Sequence, residues 1–148
     1  MISNKAKYAL KAMTILARHH SRQMQAHAIA EEGNIPLKFL ETILSDLKNR
    51  GLVNSKRGAN GGYVLGSDPD DITVGDIMRV IDGPIAPIRC ASISGYQLCE
   101  DCEDEARCAI RNVMMDARIA LSSVLDQRSL KDMAEIGKRR RESIFDDE

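Results

Sequence analysis

Residues 35–66, IPLKFLETILSDLKNRGLVNSKRGANGGYVLG, decide the expected fold of the chain. Apolar residues recur at helical spacing in the first half of this stretch: Leu37, Leu40, Ile43, Leu44 and Leu47. The stripe ends at Gly51, and two short β-prone runs follow at 52–55 and 63–65. A glycine-rich turn containing Asn60 lies between the runs. The stretch therefore predicts a helix followed at once by a β-hairpin.

The residues before this stretch predict two further helices. Residues 4–19 form an amphipathic pattern, and residues 26–32, AHAIAEE, form a short helix that GNIP interrupts. In that tetrapeptide, Gly33 and Asn34 can adopt positive φ, and Pro36 suits the start of a helix. Helix, tight turn, helix and hairpin is the element order of a winged helix-turn-helix domain. The expected fold class is mainly α with a small β-hairpin wing.

The second half of the chain predicts a helix that needs a partner surface. Thr73 and Asp76 mark a helix start, and that helix ends at Gly83 and Pro84. A longer apolar stripe, from about Glu105 to Leu125, is typical of a dimerisation helix, so we expect a homodimer. The predicted division is a winged-helix domain at 1–84, a cysteine loop at 85–108, the dimerisation helix with a short following helix at 109–132, and a disordered tail at 133–148.

Charge and hydropathy limit the possible functions. Residues 1–65 carry ten basic and four acidic residues, a net +6, whereas residues 66–148 carry eleven and eighteen, a net −7. Such asymmetry is typical of a protein with one nucleic-acid-facing half. The N-terminal sequence has no apolar run of about 18 residues, so we expect no signal peptide, no membrane association and a cytoplasmic location. No catalytic His, Ser or Asp arrangement is visible, so we do not expect an enzyme.

Six side chains are candidates for contacts with double-stranded DNA: Lys38, Glu41, Thr42, Lys48, Lys56 and Arg57. The first three lie near the start of the predicted recognition helix and opposite its apolar stripe, where side chains reach base edges. Lys48 is better placed for a phosphate contact, and the remaining two lie on the hairpin. The simpler alternative is a solvated helix face and an ordinary surface hairpin.

All four cysteines, Cys90, Cys99, Cys102 and Cys108, fall within nineteen residues, CASISGYQLCEDCEDEARC. Clustered cysteines in a reducing compartment favour metal binding or redox sensing over structural disulfides. Because only one CxxC pair is present, a zinc ribbon is not the first interpretation, and soft thiolates in an exposed acidic loop favour an iron–sulfur cluster of the 2Fe–2S or 4Fe–4S type. Free thiols, a labile zinc site and a disulfide switch stay open as alternatives.

These segments together resemble the Rrf family, the winged-helix regulators of the IscR, NsrR and RirA types. The resemblance rests on KYALKAM near the start, on residues 35–66, on ITVGDIMRVIDG and on cysteines just before a long helix. It covers roughly residues 1–132. It implies a homodimeric transcriptional regulator, a repressor, whose DNA binding depends on an iron–sulfur cluster sensing iron, redox state or nitric oxide. A clusterless thiol or zinc regulator of the same fold, and an electron-transfer protein, are the alternatives.

The resemblance also implies which residues contact DNA and which bind the cluster. Lys38, Glu41 and Arg57 match recognition-helix and wing positions that contact DNA in the family. By the same matching, Cys90, Cys102 and Cys108 correspond to its three cluster cysteines.

The fourth ligand departs from the family's pattern. Arg111 stands where some members carry a histidine ligand, and Lys7 stands where nitric-oxide sensors carry an acidic ligand. Neither side chain ligates iron as a protonated cation. Cys99 is then the spare thiol, which makes an all-cysteine site within one chain the expectation.

Overall fold

The computed structural model describes residues 2–145. Over that range it contains six α-helices and one antiparallel hairpin: α1 (Asn4–Arg18), α2 (Ala26–Gly33), α3 (Leu37–Asn49), β1 (Val53–Lys56), β2 (Gly62–Leu65), α4 (Val74–Asp82), α5 (Ala109–Gln127) and α6 (Leu130–Phe145). The mainly helical fold class with a β-hairpin wing is confirmed.

Helix α1 lies at the centre of the domain and packs against α2, α3, α4 and α6. Ala6, Ala9 and Ala12 are fully buried, and their small side chains let neighbouring helices approach closely. The apolar stripe of α3 closes the core from one side, with Leu40, Ile43, Leu44 and Leu47 all at 0% exposure. Each such burial contributes roughly 1.5–3 kcal/mol relative to an exposed side chain, so this stripe holds α3 in place.

The turn between α2 and α3 uses one left-handed residue. Asn34 has φ 49° and caps α2, while Gly33 remains inside the helix. A Cβ at Gly33 would lie 2.9 Å from Ile35 Cδ1 and 3.0 Å from Ile15 Cδ1. A side chain at position 33 would therefore require Ile15 and Ile35 to shift, and the positive φ falls on Asn34 alone of the two residues.

The wing is joined to the helix-turn-helix at its base. Its strands pair from Val53 with Leu65 to Lys56 with Gly62. A further bridge joins Tyr63 to Met24, which precedes α2: the Met24 N–H donates to the Tyr63 carbonyl at 3.1 Å, and the Tyr63 N–H donates to the Met24 carbonyl at 2.7 Å. These two bonds fix the hairpin base relative to the recognition unit.

Helix α4 begins with the expected capping box. The Thr73 hydroxyl accepts from the Asp76 N–H at 3.1 Å, and the Asp76 carboxylate accepts from the Thr73 N–H at 3.0 Å. Close to this start, α4 meets the end of α5, where a Cβ at Gly75 would lie 2.0 Å from the Asp126 carboxylate. A side chain at position 75 would therefore require the Asp126 and Arg79 side chains to move.

Helix α5 starts later than the sequence pattern predicts. Residues Glu105–Arg107 form a single 3₁₀ turn, and the α-helix begins at Ala109 with Cys108 as its N-cap. No residue of α5 is buried. Its outward face carries Ile110, Val113 and Val124, each 59–66% exposed, together with Leu121 at 45%.

The expectation of a disordered tail at 133–148 is wrong for residues 133–145, which continue helix α6. Leu130 and Ala134 are buried, and α6 packs along α1. A Cβ at Gly137 would lie 2.2 Å from an Arg18 guanidinium nitrogen, so this helix approaches α1 closely. Charge and terminal position suggested disorder, but the apolar contacts at the start of α6 anchor it. Residues 146–148 lie outside the described residues.

Candidate DNA-binding surface and cysteine loop

The candidate DNA-contact residues of α3 lie on the exposed side of the helix. Lys38, Glu41, Thr42 and Lys48 are all exposed, while the opposite stripe is buried in the core. The Thr42 hydroxyl donates to the Lys38 carbonyl at 3.3 Å, which leaves its lone pairs free to accept. Lys38 and Thr42 are one turn apart, so they share one helix face. The face presents one cationic donor, one carboxylate acceptor and one hydroxyl at the start of the helix.

The wing carries its two candidate cations at the tip. Lys56 is the last residue of β1, and Arg57 begins the connecting loop; both side chains are exposed. Gly58 has φ 111°, and its carbonyl accepts from the Gly61 N–H at 2.9 Å. The loop can therefore turn sharply and leave Arg57 projecting from the protein.

The four thiols occupy different environments in the segment between α4 and α5. Cys90 lies in the short 3₁₀ turn Arg89–Ala91 and is 7% exposed, whereas Cys99 is fully on the surface. Cys102 and Cys108 are partly buried, and all four side chains are free thiols. The expected exposed loop is thus confirmed for Cys99 but not for Cys90, because the turn that carries Cys90 packs against α5.

Arg111 holds the two ends of this segment together. Its backbone N–H donates to the Cys108 sulfur at 3.4 Å, and its Nε donates to the Cys90 carbonyl at 3.0 Å. The sequence identified Arg111 only as a residue that cannot ligate iron. The structure adds an anchoring role, which no local sequence pattern could show because the contact spans twenty-one residues.

Two of the thiols have raised pKa values. A hydrogen bond with Asp101, followed by the charge of the same carboxylate, raises the pKa of Cys99. Loss of solvation, followed by the neighbouring Cys108, raises the pKa of Cys102. Both effects favour protonated thiols in the free protein. A bound metal cation would reverse this preference, because it stabilises the thiolate form.

The chemistry of the donor set fits an iron–sulfur cluster, since thiolates are its usual ligands. The positions of the thiols do not enclose one in this conformation. Within residues 2–139, whose side chains the structure describes, no three His, Cys, Asp or Glu side chains come close enough together to hold a metal ion. A cluster would therefore require residues 90–108 to rearrange around the fixed ends at Cys90 and Cys108.

The fold and its exposed basic surface define a winged-helix transcriptional regulator, a class that binds DNA. Residues 2–136 match the Rrf2 family, described as iron-dependent transcriptional regulators. The chain belongs to this family, and the predicted resemblance is confirmed.

Relatives and solved structures agree with this assignment. An rrf2-like HTH-type transcriptional regulator of Rhodobacter capsulatus is 43% identical over 93% of this chain and 94% of its own. CymR of Bacillus subtilis is 43% identical over 90% of this chain and 88% of its own; its solved structure, titled the global cysteine regulator, has a TM-score of 0.76 over 92% of this chain and 97% of that chain. The structure of T. potens IscR has a TM-score of 0.74 at 30% identity, over 93% and 88% of the two chains.

These relatives are named as transcriptional regulators rather than enzymes, as the sequence predicts for this chain. The comparisons lend no support to the electron-transfer alternative. Among residues 2–145, no helix is both long enough and apolar enough to span a membrane.

Proposed function

We propose that the protein is a homodimeric repressor that binds double-stranded DNA operators in the cytoplasm, and that an iron–sulfur cluster of the 2Fe–2S or 4Fe–4S type controls this binding. One observation supports the regulation of DNA binding by the cysteine segment most directly. The cysteine segment leads straight into α5, and Cys108 is both a candidate ligand and the N-cap of that helix. A change at the thiols therefore acts on the start of the helix that would join the two protomers.

The DNA contact follows from the exposed face of α3 and the wing tip. Lys38 donates to guanine acceptors, and Glu41 accepts from the cytosine amino group, in the major groove. Thr42 adds a shorter contact on the same face. Lys48, Lys56 and Arg57 neutralise phosphates or enter the minor groove, which positions the protein without specifying sequence. The net +6 of residues 1–65 supports this orientation of the domain.

The dimer contact follows from the outward face of α5. Its large apolar side chains are mostly exposed in one chain, and a nineteen-residue helix with no buried residue has no means of stabilising this face alone. Pairing with a second copy would bury the face and place two recognition helices on a two-fold operator.

Cys90, Cys99, Cys102 and Cys108 would hold the cluster, which supplies redox and iron-dependent chemistry when bound. The protein's own part in control is mechanical. Ligation would rearrange residues 90–108, and the bond from Arg111 Nε to the Cys90 carbonyl would transmit that change to α5. The relative placement of the two winged-helix domains then differs between the ligated and free forms, and DNA affinity shifts by the difference in stability of the two arrangements.

Purification without oxygen tests the proposal. The expected product is coloured, absorbs in the visible range and contains iron and acid-labile sulfide. Holo-protein and carefully prepared apo-protein should bind a set of candidate operators with different affinities. Equal affinities across the set would remove the sensing role even if the cluster were present.

Single substitutions identify the ligands. Ser at Cys90, Cys102 or Cys108 should each abolish cluster retention. Cys99→Ser should yield an incomplete or rapidly lost cluster if Cys99 is the fourth ligand, because four thiolates form a common cluster cage. Survival of the visible spectrum in Cys99→Ser would assign the fourth position to another group, including one from a second protomer. Ser94→Ala is the matched control within the same segment and should retain the spectrum.

A clusterless regulator of the same fold is the second candidate. Two observations favour it: the thiols do not converge within the described chain, and a 43% identical relative is titled a cysteine regulator. In this case the protein is colourless, and either zinc or the oxidation of the thiols changes its DNA affinity. A metal-free, colourless product whose operator binding responds to a thiol oxidant would establish this alternative.

A further inference from the structure

Helix α3 makes a single side-chain hydrogen bond to another element among residues 2–139, whose side chains the structure describes. Lys5 Nζ, in the first turn of α1, donates to the Asp46 carboxylate of α3 at 2.6 Å. The two side chains are 32% and 39% exposed, so solvent screens the pair only in part. The buried apolar stripe of α3 supplies attraction without a preferred direction. The ion pair therefore adds the directional contact that the stripe lacks.

Asp46 borders the surface of α3 that would face DNA. It follows Thr42 by one helical turn, so the two side chains lie on the same side of the helix. A small roll of α3 about its own axis would keep the apolar stripe in the core but displace the ends of Lys38 and Glu41. The contact with Lys5 opposes such a roll, because it holds α3 at one edge rather than along its axis.

The start of α1, which carries Lys5, is itself held in place. The hydroxyl of Ser3, the N-cap of α1, accepts from the Ala6 N–H at 3.0 Å. The Ser3 N–H donates to the Asp82 carboxylate at 3.0 Å, and the Ser3 hydroxyl donates to the same carboxylate. Asp82 is the last residue of α4, so α1 begins against a second helix. Lys5 thus reaches Asp46 from a fixed point rather than from a free chain end.

Lys5 also changes the charge that α3 presents to a phosphate backbone. An unpaired carboxylate at Asp46 would repel nearby phosphates, and the Lys5 ammonium group balances its charge. Loss of Lys5 therefore has two separable consequences. Loss of helix position would alter the discrimination between DNA sequences, whereas loss of charge balance would weaken the binding of all duplexes alike.

We propose that Lys5 is a positioning residue for sequence recognition. Through its ion pair with Asp46 it fixes the rotation of α3, and with it the direction in which Lys38 and Glu41 meet the bases. Base contacts carry the sequence information, and a recognition site must hold its side chains within about 0.5 Å of the productive geometry. This inference rests on the proposed role of α3 in base recognition, and it involves neither the cysteine segment nor iron.

Competition binding with the full chain tests the inference. Wild-type protein first selects its operator from a random DNA library, and each variant is then compared on that operator and on a random duplex at one salt concentration. Lys5→Ala and Asp46→Asn should each lower the ratio of the two affinities about three- to five-fold, which corresponds to an ion pair of up to about 1 kcal/mol. The double variant should lower the ratio no further, because both substitutions remove the same contact.

Lys7→Ala is the matched control, because it removes the same charge from an exposed position of α1 and should leave the ratio unchanged. Urea denaturation establishes that every variant is folded at the assay temperature. An equal loss on operator and random duplex in Lys5→Ala would overturn the inference, since it would assign Lys5 to a phosphate contact. Additive losses in the double variant would overturn it as well.

Glu41→Ala separates this inference from the proposed function. An unchanged ratio in Glu41→Ala would reject base recognition by Glu41 and the positioning role of Lys5 with it. A lowered ratio in Glu41→Ala together with an unchanged ratio in Lys5→Ala would reject the positioning role alone.

Discussion

Helices α3 and α5 use their apolar side chains in opposite ways. Helix α3 spans thirteen residues and buries four large apolar side chains in its own domain, whereas α5 spans nineteen residues and buries none. The domain around α3 is basic, and the segment leading to α5 is acidic. A single chain therefore buries the apolar stripe of α3 by itself, whereas the apolar face of α5 stays exposed in one chain.

Charged substitutions on the apolar face of α5 should have the largest effect of all, which is the loss of the dimer. Val113→Asp together with Leu121→Asp would place four carboxylates in an apolar contact between two protomers, and each buried charge is strongly unfavourable. We expect monomers by analytical ultracentrifugation and poor operator binding.

Asn112→Asp with Ser123→Asp adds the same number of charges to exposed positions of α5 outside the stripe, and this control should remain dimeric. A dimeric Val113→Asp, Leu121→Asp variant, or wild-type protein that is monomeric at micromolar concentration, would contradict the role of α5.

Two leucine-to-alanine substitutions, one in each half of the chain, compare how much each half contributes to the free energy of unfolding. Leu44 is fully buried in α3, and Leu98 in the cysteine loop is 56% exposed. Leu44→Ala should lower the free energy of unfolding by about 3 kcal/mol through lost burial and cavity formation. Leu98→Ala should change it by no more than about 0.5 kcal/mol. Urea denaturation followed by circular dichroism measures both, and similar losses would show that the loop is also part of the core.

Substitutions on the exposed face of α3 distinguish a base contact from a phosphate contact. Glu41→Ala should alter sequence preference, with changes of about 1–3 kcal/mol at the base pair it contacts. Lys48→Ala should weaken all sites alike and reduce the salt slope by about 1. Lys131→Ala, an exposed cation on α6, is the control and should change neither quantity. Identical behaviour of Glu41→Ala and wild type across a site library would exclude base reading by Glu41.

Removing the ion pair between Arg79 and Asp126 should have the smallest effect on stability. Because the folded pKa of Asp126 is lowered, its contribution is complete above the ordinary carboxylate pKa of about 4 and is lost as the pH falls through the folded value. Both side chains are about 40% exposed, so solvent limits the contribution to about 1 kcal/mol at most. Asp126→Asn should lower stability at pH 7 and converge with wild type in acid; a constant difference at all pH values would contradict the ion-pair account.

The helix-turn-helix and wing were predictable because their signals are local. The α3 stripe, the Thr73 capping box and the glycine-rich hairpin turn each lie within a few residues of one another. The predicted start of α5 was less accurate, because Asp104 caps a separate 3₁₀ turn and Cys108 caps α5 itself, where periodicity alone suggested one helix. The order of α6 depends on packing against α1, which is more than a hundred residues away in sequence.

The candidate site likewise has features that follow from the local sequence and features that only the folded structure shows. Exposure of Lys38, Glu41 and Lys48 follows directly from the position of the apolar stripe on the same helix. The anchoring contact of Arg111 with Cys90 arises only when α5 lies against the segment after α4. It could not be deduced from spacing, because it depends on the direction of one helix relative to a distant turn.

The two bonds between Met24 and Tyr63 also affect the entropy of DNA association. They hold the base of the hairpin in place before any DNA is present, so β1 and β2 lose little further backbone freedom on binding. Ordering one backbone residue opposes binding by about 1–2 kcal/mol. A wing attached only through its own turn would lose the freedom of both strands as well, and the same cationic contacts would then give a weaker complex.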